Sequence, residues 1–117
     1  MIAEQTFPKS FRLLKPSEFQ TVYKHGQWAS NRELSINVVK HSKPSSRLGI
    51  TVSKKVSKRA VDRNRIKRHI REWYRKNKHR CHNFDIVLTA KPAIQQKTMA
   101  EIQLSLEDIW RKLQKKL

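Results

Sequence analysis

Five histidines, one cysteine and nine carboxylates are the residues of this 117-residue chain whose types suit catalysis or metal binding. A protein nuclease would pair two histidines as acid and base, or cluster carboxylates around two metal ions. His25, His41, His69, His79 and His82 are scattered, and none has a partner at a spacing that makes such a pair. His79, Cys81 and His82 stand too close together for a standard zinc site, and no second ligand pair follows them. Asp62, Glu72 and Asp85 are dispersed, while Glu101, Glu107 and Asp108 share the polar side of a C-terminal helix. No catalytic residue and no metal ligand is assigned, so the chain by itself does not read as catalytic. The lone Cys81 can form no internal disulfide, which fits a reducing cytoplasm.

What the sequence does concentrate is positive charge. Twenty-seven Lys and Arg against nine Asp and Glu give +18, a balance that speaks of polyanionic partners. The span from Arg47 to Arg80 holds 14 of those basic residues and only 2 acidic ones, so the field is focused. Within it, "KKVSKRAVDRNRIKRHIREWYRKNKHR" threads apolar residues through the charges. At 100° per residue, Ile66, Ile70, Trp73 and Tyr74 fall within an arc of about 100°. Lys67, Arg71, Asn64, Arg75 and Arg68 fill a neighbouring arc of about the same width, extended round the back by Arg65 and His69.

Like charges at i,i+4, such as Lys67 with Arg71, each cost a few tenths of a kcal/mol on an isolated helix. Solvated helix faces usually interleave signs, and here only Asp62 and Glu72 do so. The outward arc therefore reads as a phosphate-binding footprint. If about 6 phosphates are neutralised, the log–log salt slope on duplex-like nucleic acid is near −5. Phe19 and Tyr23, one helical turn apart, fit either core packing or a platform on which unpaired bases stack.

The elements that position these residues can be read in order. Residues 1–14 lack periodicity and are expected as an extended arm. "PSEFQTVYKHG" predicts a short helix with Pro16 in its first turn and Gly26 as its stop. "ELSINVVK" and "RLGITVSKK" alternate as strands, and "HSKPSS" between them has the chemistry of a hairpin loop. A shorter extended piece around Gln27 to Ser30 precedes them. The long helix is expected from about Lys58 to Asn77 with Ser57 as N-cap. "FDIVLTAKP" reads as a buried strand stopped by Pro92, and from about Thr98 a last helix sets Ile102, Leu106, Ile109, Trp110 and Leu113 on one stripe. This order predicts one α/β sandwich domain over residues 1–117. Glycine-rich phosphate loops are absent, since Gly26 and Gly49 are the only glycines. No apolar run reaches signal-peptide or membrane-span length, which again points to the cytoplasm.

"RNRIKR" at Arg63–Arg68, with Lys54 and Lys55 upstream and Arg71 downstream, resembles the signature of the bacterial ribonuclease P protein component. "FRLLKPSEFQTVYKHG", "RLGITVSKK" and "DIVLTAKPA" resemble that family's arm and first helix, central strand and last strand, so the likeness covers nearly the whole chain. The resemblance implies a ribosomal-protein-like α/β fold, with a small, mostly antiparallel sheet of about four strands, three helices and a left-handed crossover. It implies a subunit of an endoribonuclease whose RNA carries the active site and binds Mg2+. Its partners would be that catalytic RNA and precursor tRNA, with no membrane and no obligate protein partner. Carried onto this chain, Lys54, Lys55, Arg63, Asn64, Arg65, Lys67, Arg68 and Arg71 would meet RNA. Phe19, Tyr23, Val52, Ser53 and Lys54 would line a cleft for the 5′ leader, with Tyr23 standing where the family often has Phe. Two rivals explain the charge without the motif: a structural RNA-binding protein of the ribosomal kind, and a duplex-DNA binder. The second lacks a dimerisation element to set half-sites.

Overall fold

The computed structural model describes residues 12–13, 15–41, 46–81 and 83–117. The expected arm over residues 1–14 lies outside them except for Arg12 and Leu13, as do His82 and residues 42–45 of the "HSKPSS" connection. The elements are α1 (Pro16–His25), β1 (Gln27–Ser30), β2 (Leu34–Lys40), β3 (Arg47–Thr51), α2 (Ala60–Asn77), β4 (Phe84–Ala90) and α3 (Met99–Gln114). Short 3-10 turns, Lys78–Cys81 and Pro92–Gln96, flank β4.

The strand order is β1-β2-β4-β3. β1 pairs antiparallel with β2, and β2 pairs antiparallel with β4, matching Ile36 with Leu88 and Ser35 with Thr89. β3 pairs parallel with β4, so the sheet is mixed. The predicted β2–β3 hairpin does not form, because β4 lies between the two strands. α2 makes the long crossover that a parallel pair requires, and it returns the chain as β4 beside β3.

Period-2 alternation then divides the residues between two faces. Leu34, Ile36 and Val38 of β2, Ile86 and Leu88 of β4, and Leu48 of β3 are buried in the main core with α2 and α3. The opposite face carries Val87, which packs with Leu13 and with Val22 of α1. β4 is buried over Asp85–Leu88 because helices cover it on both sides, as its continuous apolar run predicted. Helices therefore flank the sheet rather than sharing one face.

Local chemistry sets the helix ends. Pro16 opens α1, and Glu18 Oε1 accepts the Lys15 backbone N–H at 3.0 Å. A Cβ on Gly26 would stand 2.2 Å from the Val38 carbonyl oxygen, so only glycine lets α1 turn this close to β2. Thr98 caps α3 by accepting the Glu101 N–H, and Glu101 returns the favour at the Thr98 N–H. α2 starts at Ala60, with Arg59 rather than Ser57 at the N-cap position. Buried Val56 pins the preceding turn, and the Ser57 hydroxyl instead accepts from Arg59 N and donates to Asp62.

Ile66, Ile70, Trp73 and Tyr74 are all buried, as the helical angles required. So are Ile102, Leu106, Ile109, Trp110 and Leu113 of α3. Fully burying each large apolar side chain contributes about 1.5–3 kcal/mol, which outweighs the like-charge repulsion along α2. Trp73 and Trp110 meet edge to face at 6.0 Å. The Trp73 indole N–H donates to Glu107 at 2.7 Å, and Arg80 meets the same carboxylate at 3.0 Å. Glu107 thus joins the seam between α2 and α3.

Candidate RNA-binding site

α2 carries the outward cations on a helix fixed by its buried stripe. Asn64, Arg68, Arg71 and Arg75 are exposed, and Lys67 is half-buried at the margin of the stripe. The two acids of the helix serve its ends: Glu72 pairs with Arg75 at 2.6 Å and Lys76 at 3.7 Å, and Asp62 lies 3.9 Å from Arg59. Among the described residues, Lys67 and Arg68 in the middle have no acidic partner. Desolvation, then the nearby Arg12 and Arg68 guanidinium groups, push the Arg71 pKa below its ordinary value. Burial, with Arg65 and Arg68 close by, lowers His69 in the same way and favours its neutral ring.

Not every basic residue of the motif points outward. Arg63 Nη1 donates to the Ser57 and Lys58 carbonyls at 2.9 and 3.0 Å, bracing the turn before α2. Arg65 Nη2 reaches the Gln95 carbonyl at 3.2 Å, which ties the back of α2 to the Pro92–Gln96 turn. Lys54 and Lys55 are exposed in the turn that leads into the helix.

A second surface lies where α1 crosses the sheet. Phe19 sits over Gly49, where a Cβ would stand 2.6 Å from its ring. Arg12, Leu13, Phe19, Gly49, Lys67 and Arg71 line a small cavity of about 130 Å³ joining this surface to the α2 band. Leu13 is held there by its N–H to the Leu48 carbonyl at 3.0 Å, along the outer edge of β3. Tyr23 is exposed, with its hydroxyl 3.5 Å from Thr89 Oγ1.

Arg47 fixes α1 in place. It donates to Glu18 of α1 at 2.7 Å and to both oxygens of Asp85 at 3.1 and 2.7 Å, while His41 stands 3.2 Å from the same carboxylate. Hydrogen bonding to Asp85 leads the effects that raise the Arg47 pKa.

The cleft residues read from the sequence separate on this geometry. Phe19 and Tyr23 lie on the α1 side, and Ser53 and Lys54 are exposed beyond β3. Val52 is buried in the main core and does not reach the cleft surface. Leu48, Ile50 and Val52 share an inward alternation, which turns Gly49 and Thr51 to the α1 side instead.

The sequence model of the ribonuclease P family matches residues 7–114. The chain belongs to the ribonuclease P protein family. It is 38% identical over 115 residues to the ribonuclease P protein component of Pseudoalteromonas atlantica, covering 98% of this chain and 96% of that one. The component from Idiomarina loihiensis is 42% identical, covering 95% and 90%. The structure of the Staphylococcus aureus RNase P protein superposes with a TM-score of 0.83 at 36% identity, over 88% of this chain and 94% of that one. Family membership makes the chain a subunit of ribonuclease P, a ribonucleoprotein of tRNA 5′ processing, with RNA as its partner.

Among the described residues, no three His, Cys, Asp or Glu side chains gather as a metal-ligand set. Cys81 is buried and its thiol is pushed up to about 12, so it offers no thiolate. No helix of the described residues is long and apolar enough to cross a membrane.

Arg12, Gly49, Thr51 and Thr89 were not singled out from the sequence. The alternation of β3 held the signal for Gly49 and Thr51. Nothing in the local pattern placed Arg12 beside Lys67 and Arg71.

Proposed function

We propose that this chain grips the catalytic RNA of ribonuclease P with the outward band of α2 and the turn before it. Asn64, Lys67, Arg68 and Arg71 face the RNA directly, with Lys54 and Lys55 at one end. Arg63 and Arg65 add charge while holding the helix in its place. The cleft beneath α1, with Phe19 and Tyr23 on one wall and Ser53 and Lys54 beyond the strand, takes the single-stranded 5′ leader of precursor tRNA. The RNA holds the Mg2+ ions that act at the scissile phosphate, and the protein's cations lower the amount of Mg2+ needed to fold and engage it. The work takes place in the cytoplasm.

The observation that carries this reading is the segregation on α2. Asp62 and Glu72 pair toward the two ends, so among the described residues Lys67 and Arg68 have no acidic partner, and Lys67 lines a cavity shared with Phe19. Phosphate supplies the counter-charge that the fold leaves out.

Reconstitution with the cognate catalytic RNA at low magnesium tests it. Adding the protein is expected to restore cleavage of precursor tRNA at the mature 5′ end and to tighten binding of substrates that carry a leader. Cleavage no faster than that of the RNA alone, together with equal affinity for substrates with and without leaders, would refute it.

A further inference from the structure

The sheet face under α1 extends well beyond the helix. Pairing registers align Thr51 of β3 with Thr89 of β4, Thr89 with Ser35 of β2, and Ser35 with Ser30 of β1. One row of four hydroxyl side chains thus crosses every strand, each partly exposed, and the Tyr23 hydroxyl meets it at Thr89. With strands about 4.8 Å apart, the row runs about 14 Å from edge to edge.

At its far end stands Trp28. Ala29 is buried toward α3, so alternation places Trp28 on the α1 side of β1. It pairs with Asn37 one row from the hydroxyls. Trp73 and Trp110 are 2% and 1% exposed, but Trp28 is 56% exposed and contributes little to the core. Its ring is held all the same: Lys116 Nζ lies 4.7 Å from the ring centroid and 2.6 Å from the Trp28 carbonyl oxygen. An indole kept outside the core and steadied by a cation has the makings of a stacking platform, with a phosphate partner beside it.

We propose that the hydroxyl row is a track for single-stranded RNA and that Trp28 is its distal station, where a base stacks. The proposal rests on the leader-cleft reading above and extends it: a leader long enough to leave Tyr23 crosses Thr89, Ser35 and Ser30 to reach Trp28. Hydroxyls suit such a track because they both donate and accept, and so can meet phosphate, ribose 2′-OH or base edges without demanding one sequence. Trp28 therefore adds affinity according to leader length rather than leader sequence.

The test uses the holoenzyme reconstituted with its catalytic RNA, and precursor tRNAs whose leaders are lengthened one nucleotide at a time. Wild-type affinity is expected to rise in two steps, the first at the cleft and the second a few nucleotides later. Trp28→Ala is expected to abolish only the second step, weakening the longest leaders at least about fivefold. Trp28→Phe keeps a ring and is expected to retain most of that step. Because the other two tryptophans are buried, acrylamide quenching reports Trp28, and protection is expected only with leaders that reach the second step. Equal affinity of Trp28→Ala and wild type at every length, or an equal loss at every length, overturns the proposal. If Tyr23→Ala still weakens leader binding in that case, the cleft reading stands alone. If Tyr23→Ala and leader length are both without effect, the two readings fall together.

Discussion

α2 and α3 cover the same side of the sheet with the same device, a stripe of buried apolar residues at helical spacing. Their outer faces differ. α3 interleaves signs: Asp108 lies 3.5 Å from Lys112 at i,i+4, Glu101 closes the cap, and Glu107 serves Trp73 and Arg80. α2 puts cations along its middle and pairs its two acids, Asp62 and Glu72, with Arg59, Arg75 and Lys76 toward its ends. Packing dictates the inner stripe of both helices and leaves the outer face open to other demands. On α3 that demand is the stability of the fold; on α2 we propose that it is contact with RNA.

The equality of the inner faces predicts the largest effects. Ile70→Ala and Ile109→Ala are each expected to cost about 2–5 kcal/mol in urea denaturation, because each empties a fully buried site. A cost near zero for either would show that its stripe is not core. The outer faces are expected to part ways next. Arg68→Ala should weaken RNA binding several-fold and reduce the magnitude of the salt slope by about 1, with stability moved by less than about 0.5 kcal/mol. Arg111→Ala on α3, also exposed, should leave binding and slope as they are; equal losses for both would erase the distinction.

The seam between the helices responds to acid. Burial alone would raise the Glu107 pKa, but the Trp73 indole N–H and Arg80 outweigh it and hold the carboxyl below its ordinary 4.5. A depressed carboxyl contributes stability that is complete above the ordinary value and is lost as pH falls through the folded one. Melting temperature is therefore expected to drop below about pH 4.5, and less steeply in Glu107→Gln. Identical slopes in the two proteins would remove Glu107 from the account.

The smallest effect belongs to His69. Burial lowers its pKa first, and repulsion from Arg65 and Arg68 adds to this. Phosphate docked on those arginines would cancel the second part, so the folded ring gains proton affinity on binding. RNA affinity is then expected to rise slightly as pH falls below the ordinary histidine range, with proton uptake visible as buffer-dependent heats of binding. No difference between buffers of unlike ionisation enthalpy would rule this out.

How far the chain could be read in advance depended on the range of the information. The α2 stripe was legible because 18 residues without Gly or Pro repeat one period, and every predicted inward residue is buried. β2 was legible for the same reason at period two. The absent hairpin failed on a longer scale. Turn chemistry in "HSKPSS" tells that the chain changes direction, but not that a strand more than thirty residues later will slip between β2 and β3. Ser57 failed locally, because its hydroxyl had a better use once Val56 was buried. Val52 is different again. The alternation that turns it inward was present in "RLGITVSKK", and it conflicted with the cleft role carried over by family resemblance. The helical angles were enough to place Arg68 and Arg71 on the exposed side, while the inward turns of Arg63 and Arg65 depended on carbonyls that only the folded chain brings near.

α1 is fastened at both ends: Arg47 holds Glu18 at its first turn, and Gly26 lies tight against the β2 backbone at its last. A beam clamped at each end, with Val22 and Leu13 packed on Val87 beneath it, fixes the width of the groove along its flank. For the leader proposed to lie there, that fixed width would act as a gauge of strand thickness before any base is read. A nucleotide enlarged by chemical modification is then expected to bind more weakly for its size alone, whatever its sequence.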